Sequence, residues 1–431
     1  MTDTRHIKVK ALTRVEGEGG LSVRMNGDVI EDVQLQIYEP PRFFEALLRD
    51  RPLEDVPDIT ARICGICPVA YQMSSVHALE SALGVSITSE IRQLRRLLYC
   101  GEWIESHALH MHLLHAPDFF RADSGIDLAG RFPNEVNRGL QLKKHGNALL
   151  EVLGGRAVHP VNVAVGGFFR EPKRSDLQSL IPSFEWGLQA AIDSTYWVAG
   201  FDFPEFERDY EMVSLSHPDE YPMNEGRIVS SSGLDIGEEE YEQCFHEYQV
   251  QHSTALQSQR SDEGNWYHVG PLARVNLNRN RLSDAARRVA DDIKFVTPCL
   301  NPFKAIIARG LEVIHAYEEA LGVIRNYTGC IPSRVAYTSQ TGAGAAATEA
   351  PRGLIYHRYE VNDEGRVTAA NIVPPTSQNQ RQIEDDLRVY LPDVLSNDDS
   401  ETAMACERLI RSYDPCISCS THFLKLKIDR I

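Results

Sequence analysis

The sequence predicts an α+β protein in which a central bundle of long helices carries small antiparallel sheets at its periphery. Three observations point there. Four long segments repeat apolar residues at helical spacing. The first forty or so residues instead alternate apolar and polar side chains around a turn sequence. The chain, at 431 residues, is long enough to bury a large core without disulfide staples.

The opening segment IKVKALTRVEGEGGLSVRMNGDVIEDVQLQIYE contains Asn26-Gly27-Asp28, a hairpin signal, and places Arg14-Val15-Glu16-Gly17 on the connection between the first strands. A helix pattern starts at Pro68. Ile91, Leu94, Leu98, Gly101 and Ile104 recur at helical spacing, and Asn134 is expected to cap a helix through EVNRGLQLKKHGNALLEVL that stops at Gly154-Gly155. SDLQSLIPSFEWGLQAAIDSTYWVAGF and NPFKAIIARGLEVIHAYEEALGVIRNY complete the four bundle helices. From about Phe201 to Tyr267 the chain turns acidic and polar, as a peripheral insertion does. In the last third, TGAGAAATEAPRG reads as a loop and QNQRQIEDDLRVYL as a polar helix. SETAMACERLIRSY reads as a final helix stopped by Asp414-Pro415. Residues 1–431 are therefore expected to form one unit: a β-rich part (1–60), a bundle part (61–200), the acidic insertion (201–275), the bundle's completion with a C-terminal arm (276–422), and a tail (423–431).

With 61 acidic against 44 basic residues and a formal charge of -17, the chain is a poor partner for nucleic acid or anionic membranes. No apolar stretch approaches the ~20 residues of a membrane span, and no secretory h-region opens the sequence, so a cytoplasmic location is expected. Nine cysteines suit ligands or core positions better than a disulfide framework.

Four of those cysteines form two C-x-x-C pairs, Cys64/Cys67 and Cys416/Cys419, at opposite ends of the chain. Zinc-ribbon pairs usually stand ~15–20 residues apart. Closing a loop of ~350 residues rather than ~20 costs only about 2–3 kcal/mol more, small beside the ~10–16 kcal/mol of tight metal binding by thiolates. A structural zinc clip remains one reading and a buried reactive metal the other, since thiolates suit nickel, iron and zinc alike.

The residues around the pairs carry a resemblance. RICGIC (Arg62 to Cys67) and DPCISCSTH (Asp414 to His422) resemble the paired signatures RxCGxC and DPCxxCxxH of nickel-iron hydrogenase large, catalytic subunits. TRVEGEG, RFFEALL around Glu45, HAPD ending at Asp118, GGRAVHPVNVAVGG and EAPRG extend the likeness in order along essentially the whole chain. The length and YHVGPLARVNL (Tyr267 to Leu277) resemble the cytoplasmic, pyridine-nucleotide-linked branch that includes the sulfhydrogenases.

The resemblance implies reversible heterolytic cleavage of H2, which needs an electrophilic metal for the hydride and a nearby base for the proton. It implies a nickel-iron centre in which Cys64 and Cys416 are terminal nickel ligands. Cys67 and Cys419 bridge to an iron carrying cyanide and carbon monoxide. Arg352 would project over the metals, with Asp118 and Asp414 around it, and Glu16 would relay protons. Glu45 and His422, with a carbonyl near Asn371 or Ile372, would bind a second hard cation, often magnesium. Tyr71 stands where many relatives have histidine, with His77 a substitute on the same helix. Pro375 stands where some have a serine facing an iron ligand; the contact either passes to Thr376 or is lost.

His107, His110, His112 and His115 read as core histidines rather than ligands. Cys100, Cys244, Cys299, Cys330 and Cys406 stand singly, so neither an iron-sulfur cluster nor a flavin is expected in this chain. Electrons would pass to an iron-sulfur small subunit and through flavin and iron-sulfur diaphorase-type subunits to or from NAD(P), or to polysulfide. Nickel-insertion proteins and a maturation endopeptidase are further implied partners, the latter removing Phe423 to Ile431 and leaving His422 terminal. The alternative is a non-catalytic fold relative with a structural four-cysteine zinc site in a larger redox complex.

Overall fold

Alternation over the first residues produces a three-stranded antiparallel sheet, β1 (Thr4–Val9), β2 (Gly19–Asn26) and β3 (Val29–Ile37), in register β1-β2-β3. The structure is a computed structural model and describes residues 4–421 apart from 28, 263, 330 and 397. His422 and the tail 423–431 lie outside the described residues.

The bundle follows the helical periodicity. Its members are α1 (Pro68–Leu83), α2 (Ser89–Leu109), α3 (Pro133–Gly154), α4 (Ile181–Ala199), α5 (Pro271–Asn278) and α6 (Ala305–Asn326). Helix α2 packs on α3 and α6, and α6 on α4. Thr88 caps α2 by accepting the Ile91 N–H, and the helix runs on through one π turn, His110–His115. Two boundaries differ from the sequence reading. Asn134 is not the cap of α3, because Pro133 already occupies the first helical position after Phe132. The stop at left-handed Gly155 is as expected. The SDLQ segment divides into Arg174–Gln178 and α4, whose first turn holds Pro182.

The segment read as a Gly/Ala loop is a strand. β4 (Gly342–Ala350) pairs with β5 (Gly353–Val361), which pairs with β6 (Val367–Val373), all antiparallel. It lies directly on α1: a Cβ at Gly344 would sit 2.2 Å from the Ala82 nitrogen, so only small residues fit there. Composition suggested a loop because close packing demanded the same residues. The insertion contributes a sheet of Val213–Ser216, Arg227–Ser230 and Asp235–Ile236 and a hairpin of Phe245–Gln249 and Leu256–Arg260. Val213, Leu215, Phe245, Ala345, Leu354 and Tyr356 share one buried cluster, so it covers the face of β4–β6 turned away from the bundle.

The C-terminal helices are α7 (Pro375–Val394) and α8 (Asp399–Tyr413). Leu21, Val23, Val33 and Leu35 of the first sheet bury against Ile383, Leu387, Leu409 and Ile410. This second core holds the end of α8 beside the loop between β1 and β2, and that is where the cysteine pairs meet. Among the described residues no helix is long and apolar enough to cross a membrane.

Candidate metal centre

The two cysteine pairs reach the site by different means. Cys67 is the residue from which α1 starts, and the Cys64 sulfur accepts the N–H groups of Ile66 (3.3 Å) and Cys67 (3.2 Å). Donors at a helix start favour a thiolate. The Glu102 carboxylate fixes that start by accepting from Val69 (2.6 Å) and Ala70 (3.1 Å). The second pair has no such platform. After Tyr413 the chain turns through Asp414 in a left-handed conformation (φ 56°), and Cys419 rides on a short 3-10 turn, Ser418–Thr421. Borrowed contacts hold this arm: Cys416 N–H to Thr376 Oγ1 (3.0 Å), and Ile417 N–H to the Glu16 carbonyl (2.9 Å).

The four sulfurs converge. They are buried and lie within 4.8 Å of one another, with Sγ separations of 3.4 Å (Cys64–Cys416), 3.7 Å (Cys67–Cys419) and 2.7 Å (Cys416–Cys419). This is the one cluster among the described residues that can hold a metal ion. Burial pushes both the Cys416 and the Cys419 thiols up, and for Cys416 the neighbouring thiols push the same way. Four thiolates crowded into one dry pocket repel one another, and a cation bound among them offsets that cost.

Above them sits Arg352. Its Nε donates to the Asp414 carbonyl (2.8 Å) and its Nη2 to Asp414 Oδ1 (3.0 Å), while Nη1, also buried, has no protein partner. Burial works against its charge, but the Asp414 carboxylate and the cysteine sulfurs outweigh it and hold the proton firmly. A closed zinc clip needs nothing above its sulfurs; an orphaned, buried guanidinium donor fits a metal whose own ligands accept hydrogen bonds. The residues therefore fit a nickel-iron centre.

Glu16 meets the arm twice, through its carbonyl and through Oε2. That oxygen accepts from Cys416 Sγ (3.0 Å) and from the Ser418 N–H (3.0 Å). Beyond it, the Ser418 hydroxyl donates to Glu39 Oε2 at 2.9 Å. Sequence reasoning missed Glu39 and also Arg42. Arg42 Nη2 donates to the Ile63 carbonyl (2.6 Å) and to the Ser418 carbonyl, and the Arg42 N–H donates to the Thr421 carbonyl (2.6 Å). One residue thus ties both ligand segments together. The only sequence signal was proximity to Glu45 in RFFEALL.

Other expected residues are placed as follows. Asp118 faces not Arg352 but Arg411 (2.8 Å to each oxygen) and Arg14 (2.6 Å), bracing α8 against the loop that carries Glu16. Glu45 Oε1 accepts the Ile372 N–H at 2.9 Å, so these two are together, whereas the Asn371 side chain turns to Glu242 (2.6 Å). Thr376 engages the Cys416 N–H. Tyr71 is buried, its hydroxyl pushed up by burial first and then by Cys419 and Cys67, so it stands beside the thiols itself. His77 does not substitute for it: burial and Arg95 hold it down to about 4, on the side of Glu80 and Arg95. The four helical histidines are core groups, His107 pairing with Glu312 (2.9 Å), His110 with the Arg411 carbonyl (2.7 Å) and His112 with Ser194 (3.1 Å).

Four buried thiols with an arginine and a carboxylate beside them define a candidate metal centre. A family model, nickel-dependent hydrogenase, matches residues 42–127 and 256–422. The chain is 31% identical to sulfhydrogenase 1 subunit alpha of Pyrococcus furiosus over 432 residues, covering 97% of this chain and 98% of that one. It is 25% identical to the NAD-reducing hydrogenase HoxS subunit beta of Cupriavidus necator over 473 residues, covering 98% and 95%. The solved structure of an NAD+-reducing [NiFe]-hydrogenase in the H2-reduced state shares its fold, with a TM-score of 0.88 at 24% identity over 97% of this chain and 99% of that one. The chain belongs to the nickel-dependent hydrogenase family, as a large, catalytic subunit of the sulfhydrogenase type acting on H2.

Proposed function

We propose that Cys64, Cys67, Cys416 and Cys419 hold a nickel-iron centre at which H2 is converted to two protons and two electrons, with Glu16 as the proton acceptor. When bound, that centre supplies the electrophile that polarises H2 and takes up its electron pair. The observation that carries the reading is the 3.0 Å contact of Cys416 Sγ with Glu16 Oε2 beneath the unpartnered Nη1 of Arg352. A proton on that sulfur has an acceptor in hydrogen-bond reach. From Glu16 it moves outward by way of Ser418 Oγ and Glu39 Oε2. Arg352 holds a fixed positive charge over the pocket, and its planar fork suits a cyanide ligand on iron.

Electrons leave where the site is nearest the surface. Gly65 is exposed between Cys64 and Cys67, and Arg62 lines one surface cavity with Arg156, Val161 and Phe169, the last two 48% and 57% exposed. This face receives an iron-sulfur partner subunit, and further flavin subunits link it to NAD(P) or polysulfide, the acceptors that the relatives' names suggest. The complex works in the cytoplasm. Glu45, the Ile372 carbonyl and His422 bind a divalent cation such as magnesium. Nickel-insertion proteins load the site and an endopeptidase trims the chain to His422. A nickel-loaded, active enzyme whose mass still includes Ile431 refutes that trimming.

The test is metal and infrared analysis of the complex purified without oxygen. One nickel per copy of this chain, with iron in excess from the partner's clusters, cyanide and carbon monoxide bands and H2-dependent electron transfer, is expected. Zinc in place of nickel, without those bands, overturns the reading in favour of a structural clip.

A further inference from the structure

The segment YHVGPLARVNL contains an arginine that the mechanism does not use. Arg274, on α5, is fully buried and donates all five of its guanidinium hydrogens. Nε reaches Glu312 Oε1 (2.7 Å); Nη1 reaches Glu349 Oε2 (2.9 Å) and the Ala350 carbonyl (2.8 Å); Nη2 reaches Glu312 Oε2 (2.8 Å) and the Pro351 carbonyl (3.0 Å). Its guanidinium carbon lies 4.5 Å from the centre of the Trp103 ring, and the Trp103 indole N–H donates to the Glu349 carbonyl (3.1 Å).

Three consecutive carbonyls, of Glu349, Ala350 and Pro351, are therefore captured by two side chains. They form the end of β4 and the turn that delivers Arg352. The other side of the turn is blocked by backbone: a Cβ on Gly353 would lie 2.8 Å from the Gly270 nitrogen. The two arginines contrast. Arg274 has no donor left over, whereas Arg352 commits two nitrogens to Asp414 and leaves Nη1 buried and uncommitted, on a guanidinium whose charge the cysteine sulfurs favour. A rigid mount and a free end belong together when the free end must point somewhere definite.

We propose that Arg274 is a positioning residue, which with Trp103 locks the turn Glu349–Arg352 and so aims the Nη1 of Arg352 into the metal pocket. This rests on the role given to Arg352 above. Lysine cannot replace it, because an ammonium is a point charge without the planar fork that meets two carboxylates and two carbonyls at once.

Two variants test this in the intact complex, with Arg352→Lys as the reference. Arg274→Lys keeps a cation against Glu312 and Glu349 and loses the fork. Trp103→Phe keeps an aromatic face beside Arg274 and loses the bond to the Glu349 carbonyl along with part of the ring. Nickel and iron content, the infrared cyanide bands, and kcat and KM for H2 are measured together. Arg274→Lys is expected to retain its metals, to move the cyanide bands in the direction that Arg352→Lys moves them, and to lower kcat by about 10- to 100-fold with KM changed by less than about twofold. Trp103→Phe gives a smaller shift of the same sign.

Cyanide bands at wild-type positions in a metal-loaded Arg274→Lys enzyme overturn the proposal, even if activity falls. If Arg274→Lys fails to bind metal, Trp103→Phe decides: shifted bands support the proposal and unmoved bands overturn it. A wild-type complex without cyanide bands fails at the earlier step, the nature of the metal centre, and takes this proposal with it.

Discussion

The two halves of the metal centre are built on opposite plans. Cys64 and Cys67 sit at the start of a 16-residue helix whose first N–H groups are held by the buried Glu102. Cys416 and Cys419 sit on an arm beyond the last helix and are held by groups that belong elsewhere: the Glu16 backbone, Thr376 and Arg42. The first half is preorganised by its own secondary structure. The second is completed by docking, so its geometry depends on contacts spread from residue 16 to residue 376.

The largest test removes a ligand from each half. Cys64→Ala and Cys416→Ala each delete about a quarter of ~10–16 kcal/mol of thiolate binding, so each lowers metal affinity by roughly 60- to 900-fold. Nickel content and H2/D2 exchange report both losses. If the halves differ as described, protease digestion then separates the variants, the arm of Cys416→Ala being cut and α1 of Cys64→Ala being spared.

Next in size is Glu16→Gln, which keeps a hydrogen-bonding side chain at the arm and removes the base. Isotope exchange between H2 and water slows by ~10²–10⁴-fold while nickel stays bound. Unchanged exchange would remove Glu16 from the proton path.

Thr376→Val leaves the Cys416 N–H buried without its acceptor, at a cost of about 1–3 kcal/mol that falls on the arm alone. Faster nickel loss to a chelator, with the melting temperature of the bundle nearly unchanged, is the expected pattern.

The smallest effect concerns the anchor of α8. Asp386 Oδ2 accepts from Tyr210 (2.7 Å) and from Tyr413 (2.5 Å), the residue before the turn at Asp414. Burial raises its pKa from the ordinary 3.8 to about 6. A folded-state value above the unfolded one means the native protein holds this proton longer, so stability falls as pH rises through roughly 4 to 6. Asp386→Asn removes that slope, read as the difference between wild-type and variant melting temperatures across this range.

The first half of the site was far more legible in the sequence than the second. C-x-x-C followed by a proline-led helix is a local pattern, and so are the apolar periods of α2, α3 and α6. The arm's supports are not local. Glu39, Arg42 and Arg274 gain their roles from residues tens to hundreds of positions away, and the motifs that contain Arg42 and Arg274 do not say which groups they meet. Asp118 lay in a matching motif, yet it braces Arg411 and Arg14, because which arginine a carboxylate meets is decided by packing. β4 was hidden for a further reason: small residues chosen for contact with α1 look like a loop.

The bond between the Ile417 N–H and the Glu16 carbonyl couples the seating of the arm to the loop that carries Glu16. Ligand and base arrive in a single act, since the strand contact that seats Cys416 also brings its sulfur to the Glu16 carboxylate. An undocked arm would leave only Cys64 and Cys67 in place, with the Glu16 carboxylate parted from the Cys416 sulfur. The four-sulfur group and its neighbouring carboxylate are therefore complete only when the arm is seated.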